Sequence, residues 1–352
     1  MLNKPDMMVN TTPISSQPLV TVLMGVYNAA TYLREAIDSI INQTFTNFEF
    51  LIYNDGSTDA TAEIVRSYTD PRIFFFDNPI NRSVSPNMNE GIERAQGRYI
   101  VRMDGDDIAD PERLAKQVAY MEAHPEIGLC GSAVRYFGAS NALIQMPENN
   151  DTIQHTMWLQ NSFYQPSVII RTSVLLESRL RYDVRYEFAE DYKLWSDMCA
   201  VTQVHNLPEP LLNYRIHPHQ ISRRQSLSQQ QVSAQIRKEQ MNRLHIHLRP
   251  EQEGAFGLLT IDDGWRDLEP TDYREIATLL DDLGAQAQHL VIATDVVNRV
   301  MAQQWGRILG AARQFRPALV PFILRQPMCN HLPIMLVTKL LMKCLIRWKI
   351  AD

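Results

Sequence analysis

Residues 99–107 read YIVRMDGDD, a short apolar strand followed at once by an acidic turn. Asp104, Asp106 and Asp107 place three carboxylates within four residues, and like charges so close disfavour one another's ionisation unless a cation or water screens them. Oxygen ligands suit Mg²⁺ or Mn²⁺, which in turn bind phosphate oxygens. The motif therefore predicts a divalent-metal site; the plainer alternative is a solvated acidic turn in which Asp110 caps the next helix.

Similar apolar runs precede this strand, and helical patterns separate them. Strands are predicted at residues 19–26, 48–53, 72–76 and 99–103, and helices at residues 32–41, 58–68 and 87–95. This alternation predicts right-handed βαβ units and an open, mostly parallel sheet flanked by helices, an α/β fold. Ligands bind such sheets at the carboxyl ends of the strands, so Asp55 and the acidic turn are expected at one edge. Asp110 and Pro111 are expected to begin the next helix.

The composition narrows the class of protein. The chain has 352 residues, of which 45% are hydrophobic and 21% charged, as in an ordinary soluble protein of two folded units. A net charge of −6 disfavours a general nucleic-acid binder, because phosphate neutralisation needs clustered cations.

The first 18 residues are polar, which predicts a disordered tail and no secretory signal. No apolar run approaches the ~18 residues of a membrane-spanning helix. Four widely spaced cysteines predict reduced thiols.

Five short motifs occur in a fixed order along the chain. They are GVYN at 25–28, NDGSTD at 54–59, NEGI at 89–92, DGDD at 104–107 and ED at 190–191. In these motifs, over residues 19–222, the chain resembles the family-2 glycosyltransferases. The resemblance implies the GT-A nucleotide-diphospho-sugar transferase fold for residues 19–225 and a separate, helical C-terminal region for residues 226–352.

The resemblance also implies how a nucleotide-sugar donor binds. Donor contacts are implied for Tyr27, Asn28, Asp55, Asn89 and Asp104. Tyr27 and Asn28 would flank the base and its ribose, and Asp55 would accept a hydrogen bond from the base. A carboxylate can pair with the imide N–H of uracil, which favours a UDP or dTDP donor. Residues 81–91 resemble the family's nucleotide loop, in which a Gly and an Arg often occupy the positions of Ser83 and Met88. Without that Arg, its contact to the diphosphate or the base is missing or supplied elsewhere.

The metal and the diphosphate are implied to bind at the acidic turn and at a later segment. Asp106 would hold the Mn²⁺ or Mg²⁺ that assists departure of the diphosphate, while Asp104 would lie near the ribose. His217 would contact the metal or the diphosphate. The alternative is that His217 has only a structural role. Arg215 is expected to neutralise phosphate charge.

The catalytic base is implied to lie in the pair Glu190-Asp191. An inverting sugar transfer needs a carboxylate that deprotonates the acceptor hydroxyl. The resemblance gives this role to Asp191, with Glu190 shaping the acceptor or donor site. The alternative is that both residues only complement a helix dipole. Trp195 is expected either to offer an apolar face to a sugar ring or to lie in the core.

The C-terminal segment differs in charge from the rest of the chain. Residues 311–352 contain seven basic residues and one acidic residue, a net charge of +6, so residues 1–310 carry −12. Lys339, Lys343 and Arg347 recur every four residues beside a wide apolar face with Trp348. A basic amphipathic helix suits an anionic membrane surface, and the alternative is a terminal helix packed on the protein.

Together these features predict a metal-dependent, inverting glycosyltransferase that moves a sugar from a nucleotide-sugar donor to a hydroxyl of a glycan or lipid-linked acceptor in surface-polysaccharide assembly. It is expected in the cytoplasm or peripherally at the inner face of the cell membrane. A nucleotidyltransferase is one alternative, but it would show a Gly-rich, basic phosphate loop after the first strand, where Tyr27, Asn28, Ala29 and Ala30 stand. A non-catalytic glycan-binding or scaffold protein is the other alternative.

Overall fold

The computed structural model describes most of the chain. The described residues are 17–218, 220, 226–260, 268–288 and 294–311, together with Arg325 and Thr338. The predicted N-terminal tail up to residue 16, and the basic C-terminal segment apart from Ala311, Arg325 and Thr338, lie outside them. The described residues form two compact units, the first comprising those up to 153 with 161–232, and the second 154–160 with those from 233 onward.

The first unit is built on one mixed sheet. Its strands are β1 (Val20–Val26), β2 (Phe48–Asp55), β3 (Ile73–Asn78), β4 (Tyr99–Asp104), β5 (Ile108–Ala109), β6 (Ile127–Gly138), β7 (Leu143–Ile144), β8 (Ile169–Arg171) and β9 (Gln203–Ile216). The helices of the described residues are α1 (Leu33–Ile41), α2 (Thr61–Arg66), α3 (Val84–Arg94), α4 (Arg113–Ala123), α5 (Asn150–Met157), α6 (Thr172–Glu177), α7 (Glu190–Met198), α8 (Ser226–Arg243), α9 (Glu253–Thr260), α10 (Pro270–Ala287) and α11 (Thr294–Ala311).

The strand order is β3-β2-β1-β4-β8-β6-β9-β5, with β7 paired to β6. The first four strands are parallel, as predicted, and β2 is buried along its whole length, as a strand covered on both faces should be. Beyond β4 the sheet is mixed, because β8 runs antiparallel to both β4 and β6, whereas β6 and β9 pair in parallel. The predicted α/β fold is confirmed, and its second half is less regular than the first.

The strand register brings the predicted polar residues to one edge. Gly25 of β1 pairs with Asp104 of β4 on one side, and Val26 pairs with Asn54 of β2 on the other. Asp55 and Asp104 therefore end the strands that flank β1, at their carboxyl ends. The predicted gathering of these two carboxylates at a common edge is confirmed.

The helix predicted to begin at Asp110 begins later, at Arg113. Asp110 instead forms a turn in which its carboxylate accepts a hydrogen bond from the Glu112 N–H at 3.0 Å. The side chain of Gln43, at the end of α1, donates to the Asp110 carbonyl at 2.6 Å and accepts from the Leu114 N–H at 2.9 Å. A tertiary contact thus caps α4, which a local sequence pattern does not reveal.

The second unit is helical, in agreement with the pattern expected beyond residue 226. Its core surrounds Trp305 and Leu280, both fully buried, and the Tyr273 and Trp305 rings meet edge to face at 6.5 Å. In the part of the chain that the structure describes, no helix is both long and apolar enough to cross a membrane.

Candidate active site

The acidic turn after β4 combines exposed and buried carboxylates. The side chains of Asp104 and Asp106 are 30% and 32% exposed, whereas Asp107 is buried. Desolvation raises the pKa of Asp104 to about 6, and the neighbouring Asp106 adds to this effect. The pKa of Asp107 is also raised, by burial and by the charges of Asp106 and Asp104. The turn therefore concentrates negative charge that a cation would stabilise.

Two buried arginines lie beneath this turn. Arg102 donates from Nη2 to Asp104 Oδ1 at 3.2 Å and from Nη1 to the Leu23 carbonyl. Arg113 donates to the Arg102 carbonyl at 2.9 Å and to Gln117 Oε1 at 3.1 Å. Both guanidinium groups partly offset the carboxylates above them. Sequence reasoning missed this role, although Arg102 interrupts the apolar run of β4 two residues before Asp104.

The end of β9 covers the acidic turn through Arg215. Its backbone N–H donates to Asp107 Oδ1 at 2.8 Å, and its Nε donates to the Asp106 carbonyl at 2.7 Å. Its Nη2 lies 2.9 Å from Glu35 Oε2 on α1, and its guanidinium stacks on the Tyr32 and Phe137 rings at 4.3 and 4.4 Å. These partners engage the Nε and Nη2 atoms of Arg215 in the ligand-free protein, and its expected role toward phosphate stays a prediction.

His217 lies against the same turn. Its Nε2 is 2.9 Å from Asp106 Oδ2, and its ring lies 5.0 Å from that of Tyr32. Among the described residues, no three His, Cys, Asp or Glu side chains converge as a complete metal site. Asp106 and His217 thus bring together a carboxylate and an imidazole, two groups of the kinds that bind metals, at the carboxyl edge of the sheet.

The donor residues expected after β1 and β2 also lie at this edge. Asn28 adopts a left-handed backbone conformation with φ of 49°, and its Oδ1 accepts from the Thr58 N–H at 2.8 Å. The buried Asp55 accepts from the Arg82 N–H at 2.8 Å. Tyr27 is 52% exposed beside them. The edge therefore presents an aromatic ring to solvent next to a carboxylate that a backbone bond holds in place.

Asn89 and Trp195 occupy structural positions. The Asn89 amide donates to the Tyr182 carbonyl at 2.8 Å and accepts from the Tyr182 N–H at 2.9 Å, so both of its ends hold that backbone. Trp195 is fully buried and packs against the rings of Phe163 and Tyr182. The expectation that Trp195 offers an apolar face to a sugar is therefore wrong, because its ring lies in the core.

Glu190 and Asp191 begin α7 and lie within electrostatic range of Asp104. Burial raises the pKa of Asp191 to about 6, with the Asp104 charge contributing, and raises that of Glu190 to about 7, with Asp191 contributing. Asp191 Oδ2 accepts from Asn161 Nδ2 at 3.2 Å, and its Oδ1 accepts from the Tyr192 N–H at 2.7 Å. The structure thus brings this pair to the acidic turn, although 87 residues separate Asp191 from Asp104 in the sequence.

Comparison with known proteins identifies the family. A family model described as Glycosyl transferase family 2 matches residues 21–175. An uncharacterized glycosyltransferase of Haemophilus influenzae is 33% identical over 249 residues, which cover 66% of this chain and 77% of the relative. The chain belongs to glycosyltransferase family 2. The matched segment contains β1 from its second residue onward and all of β2 to β4, and with them the Asp55 and Asp104 edge.

This glycosyltransferase is also similar to one named protein in sequence and to another in structure. The O-antigen biosynthesis glycosyltransferase WbnJ of Escherichia coli is 31% identical over 207 residues, covering 56% of this chain and 80% of WbnJ. Residues 1–349 of TarS from S. aureus, solved in complex with UDP, match with a TM-score of 0.53 at 17% identity, over 89% of this chain and 88% of that chain. The likeness to TarS concerns the fold alone, and it agrees with the GT-A fold expected from the sequence.

Proposed function

We propose that this glycosyltransferase transfers a sugar from a nucleotide-sugar donor to an acceptor hydroxyl with inversion at the anomeric carbon, assisted by Mn²⁺ or Mg²⁺. The observation that carries the proposal is the gathering of Asp55, Asp104, Asp106 and His217 at one sheet edge, within range of Asp191. These residues have the chemistry needed to bind a donor, to bind a metal and to deprotonate an acceptor. WbnJ, a named relative, acts in O-antigen biosynthesis, which supports a surface polysaccharide or its lipid-linked precursor as the acceptor.

The donor end of the site is proposed to bind a uridine or thymidine diphosphate-sugar. Asp55 accepts one bond from the Arg82 N–H through Oδ1, which fixes its carboxylate in place. Its other oxygen would accept from the imide N–H of the base. Tyr27, whose ring is half exposed, would stack on that base, and Asn28 would approach the ribose. Asn89 would support the donor site indirectly, because its side chain holds the Tyr182 backbone.

The residues of the acidic turn fit a divalent cation. Mg²⁺ is usually held by one or two carboxylates together with substrate phosphates, and carboxylates suit Mn²⁺ as well. Asp106 and His217, whose Oδ2 and Nε2 atoms lie 2.9 Å apart, would supply the protein ligands. The buried Asp107 Oδ2 has no hydrogen-bond partner in the described part of the chain, so a cation at the turn would stabilise the ionised form of this carboxyl. The cation would supply Lewis-acid assistance to the leaving diphosphate.

Asp191 is proposed to be the catalytic base. Its carboxylate takes the proton of the acceptor hydroxyl while that oxygen forms a bond to the anomeric carbon. The bond from the anomeric carbon to the diphosphate breaks in the same displacement, and its electron pair leaves with the nucleoside diphosphate. A pKa of about 6 leaves the base ionised at neutral pH yet basic enough to accept a proton. Glu190, beside it, would shape the pocket for the acceptor or the donor.

Membrane association is proposed from the sequence of the C-terminal segment. Its net charge of +6 and its apolar face would hold the enzyme at the anionic inner face of the cell membrane, on the cytoplasmic side where nucleotide sugars are made. Truncation after Gly310 should release the protein from anionic vesicles. Equal binding by the truncated and full chains would refute this part of the proposal.

The direct test of the proposed activity is a panel of nucleotide sugars with Mn²⁺, in which release of the nucleoside diphosphate is followed in the presence of membrane glycolipid extracts. Wild type should consume one donor, and Asp191→Asn should not. A nucleotidyltransferase would instead release pyrophosphate from a nucleoside triphosphate. A non-catalytic glycan-binding protein would turn over nothing and would tolerate loss of Asp106.

A further inference from the structure

Ser83 adopts a backbone conformation that favours glycine. Its φ is 72° and its ψ 171°, a region that side chains with a Cβ rarely enter because it is strained. Ser83 also stands at the N-cap of α3, where a serine hydroxyl ordinarily accepts a bond from the first turn. Here it makes no such bond. The Ser83 backbone is bonded locally, its N–H to Asn81 Oδ1 at 3.0 Å and its carbonyl to Asn87 Nδ2 at 3.2 Å, but its hydroxyl takes no part in the helix cap.

The Ser83 hydroxyl instead reaches a distant segment. Its Oγ donates to Glu187 Oε1 at 2.9 Å, across 104 residues of sequence. The neighbour of Glu187, Phe188, is itself left-handed with φ of 71°, an outlier for an aromatic residue. A strained backbone thus lies at each end of one hydrogen bond. Since that bond is exposed to solvent, its contribution to stability is small and does not explain the strain.

The two ends of this bond belong to the two halves of the proposed site. The residue before Ser83, Arg82, gives the backbone N–H that holds Asp55. The residue three positions after Glu187 is Glu190, the first of the carboxylate pair that contains the proposed base. The Ser83–Glu187 bond therefore links the loop that fixes the donor-binding carboxylate to the segment that carries Asp191.

We propose that the Ser83–Glu187 contact is a latch that positions the base-bearing segment, residues 182–191, according to the state of the donor loop, residues 79–83. Ser83 and Glu187 are positioning residues and touch no substrate. Asn89, through its two bonds to Tyr182, anchors the start of the same segment, and the latch holds it at Glu187, shortly before α7. As a role in catalysis this inference rests on the proposed function, but the mechanical link can be tested without any substrate.

The Ser83→Gly variant distinguishes the effect of backbone strain at residue 83 from the effect of the Ser83–Glu187 hydrogen bond. Glycine adopts φ of 72° without penalty, so this variant should melt at a higher temperature than wild type although it has lost the hydroxyl. Ser83→Ala loses the hydroxyl and keeps the strain, and Glu187→Gln keeps an acceptor oxygen but removes the charge. Arg179→Gly is the matched control, because Arg179 is also left-handed, with φ of 53°, and lies on the surface near the segment without joining the latch.

Amide hydrogen exchange in the ligand-free protein is the deciding measurement. Residues 182–191 should exchange severalfold faster in Ser83→Gly and Ser83→Ala than in wild type, and at the wild-type rate in Arg179→Gly. With an active donor, kcat for sugar transfer should fall on the order of tenfold in both Ser83 variants while the donor KM changes little, because a misplaced base slows the chemical step.

Unchanged exchange of residues 182–191 in both Ser83 variants would overturn the latch. So would a wild-type kcat in Ser83→Gly. If wild type consumes no nucleotide sugar, the proposed function fails on its own, and the exchange rates still decide whether the link exists.

Discussion

His217 Nε2 lies 2.9 Å from Asp106 Oδ2, although 111 residues separate the two in sequence. The contact joins the end of β9 to the turn after β4 and pairs an imidazole with a carboxylate where a diphosphate is proposed to bind. Arg215, two residues before His217, fixes the same turn through the Asp106 carbonyl and the Asp107 carboxylate. The geometry of the acidic turn therefore depends on a strand far along the chain.

Loss of the His217 imidazole should weaken metal binding. We expect His217→Ala to lower the affinity for Mn²⁺, measured by electron paramagnetic resonance with saturating UDP, about tenfold or more. His247→Ala, an exposed histidine of the second unit, is the control and should bind Mn²⁺ as wild type does. Equal affinity in His217→Ala and wild type would remove His217 from the proposed metal ligands.

Asp191→Asn should separate catalysis from donor binding. Removing a general base typically costs ~10²–10⁴ in rate, so kcat should fall by this factor while the affinity for the nucleotide stays within about twofold. The control is Asp197→Asn on the same helix, where the carboxylate pairs with Lys193 at 2.8 Å and lies outside the proposed machinery. A turnover in Asp191→Asn close to that of wild type would refute the base assignment.

The pH dependence of transfer should show the base. Asp191 acts when deprotonated and its pKa is raised to about 6, so kcat should rise with pH through this region and then level off. The Asn161 amide donates to the carboxylate and lowers its pKa. Asn161→Ala should therefore raise the pKa of Asp191 and shift the rise of kcat with pH to higher pH. A rise that stays in place or moves to lower pH would contradict this account.

The ligand-free protein should lose stability as the pH rises. The pKa values of Asp104, Glu190 and Asp191 in the folded protein are raised to about 6, 7 and 6. Folding therefore favours the protonated carboxyls, and this stabilisation is lost progressively as the pH rises from about 4, the usual pKa of a carboxyl, through 6 to 7. Asp191→Asn should melt close to wild type at or below pH ~4 and above it near pH ~8 by thermal denaturation. If Asp191→Asn melted below wild type at the higher pH, the ionised Asp191 carboxylate would stabilise the folded protein, which is the opposite of this prediction.

The sequence predicted the part of the site that depends on local pattern. Apolar runs ending in Asn54-Asp55 and in Asp104 predicted two parallel strands, and parallel strands necessarily share a carboxyl edge. The resemblance to the family then indicated Asp106 and Asp191, which the structure brings to that edge. Periodicity and motif order were sufficient here because each depends on short stretches of chain.

The remaining features depend on contacts between distant segments. The start of α4 is set by Gln43, which lies just beyond α1, so the Asp-Pro pattern at residue 110 misplaced it. Arg215 resembles a phosphate ligand in sequence, but Tyr32, Phe137 and Glu35 engage its guanidinium. The Ser83–Glu187 bond has no local signal at all, since a serine before a helix ordinarily indicates a cap.

Thermal stabilisation by nucleoside diphosphates tests the central claim most directly. A ligand that binds only the folded protein raises its melting temperature, so UDP, dTDP, GDP and ADP can be compared with Mn²⁺ and with chelator. We expect UDP or dTDP to raise the melting temperature in Mn²⁺ and to do so far less in chelator or in Asp106→Asn. Stabilisation by none of the four, or equal stabilisation with chelator and in Asp106→Asn, would contradict a metal-dependent nucleotide-sugar site at this edge.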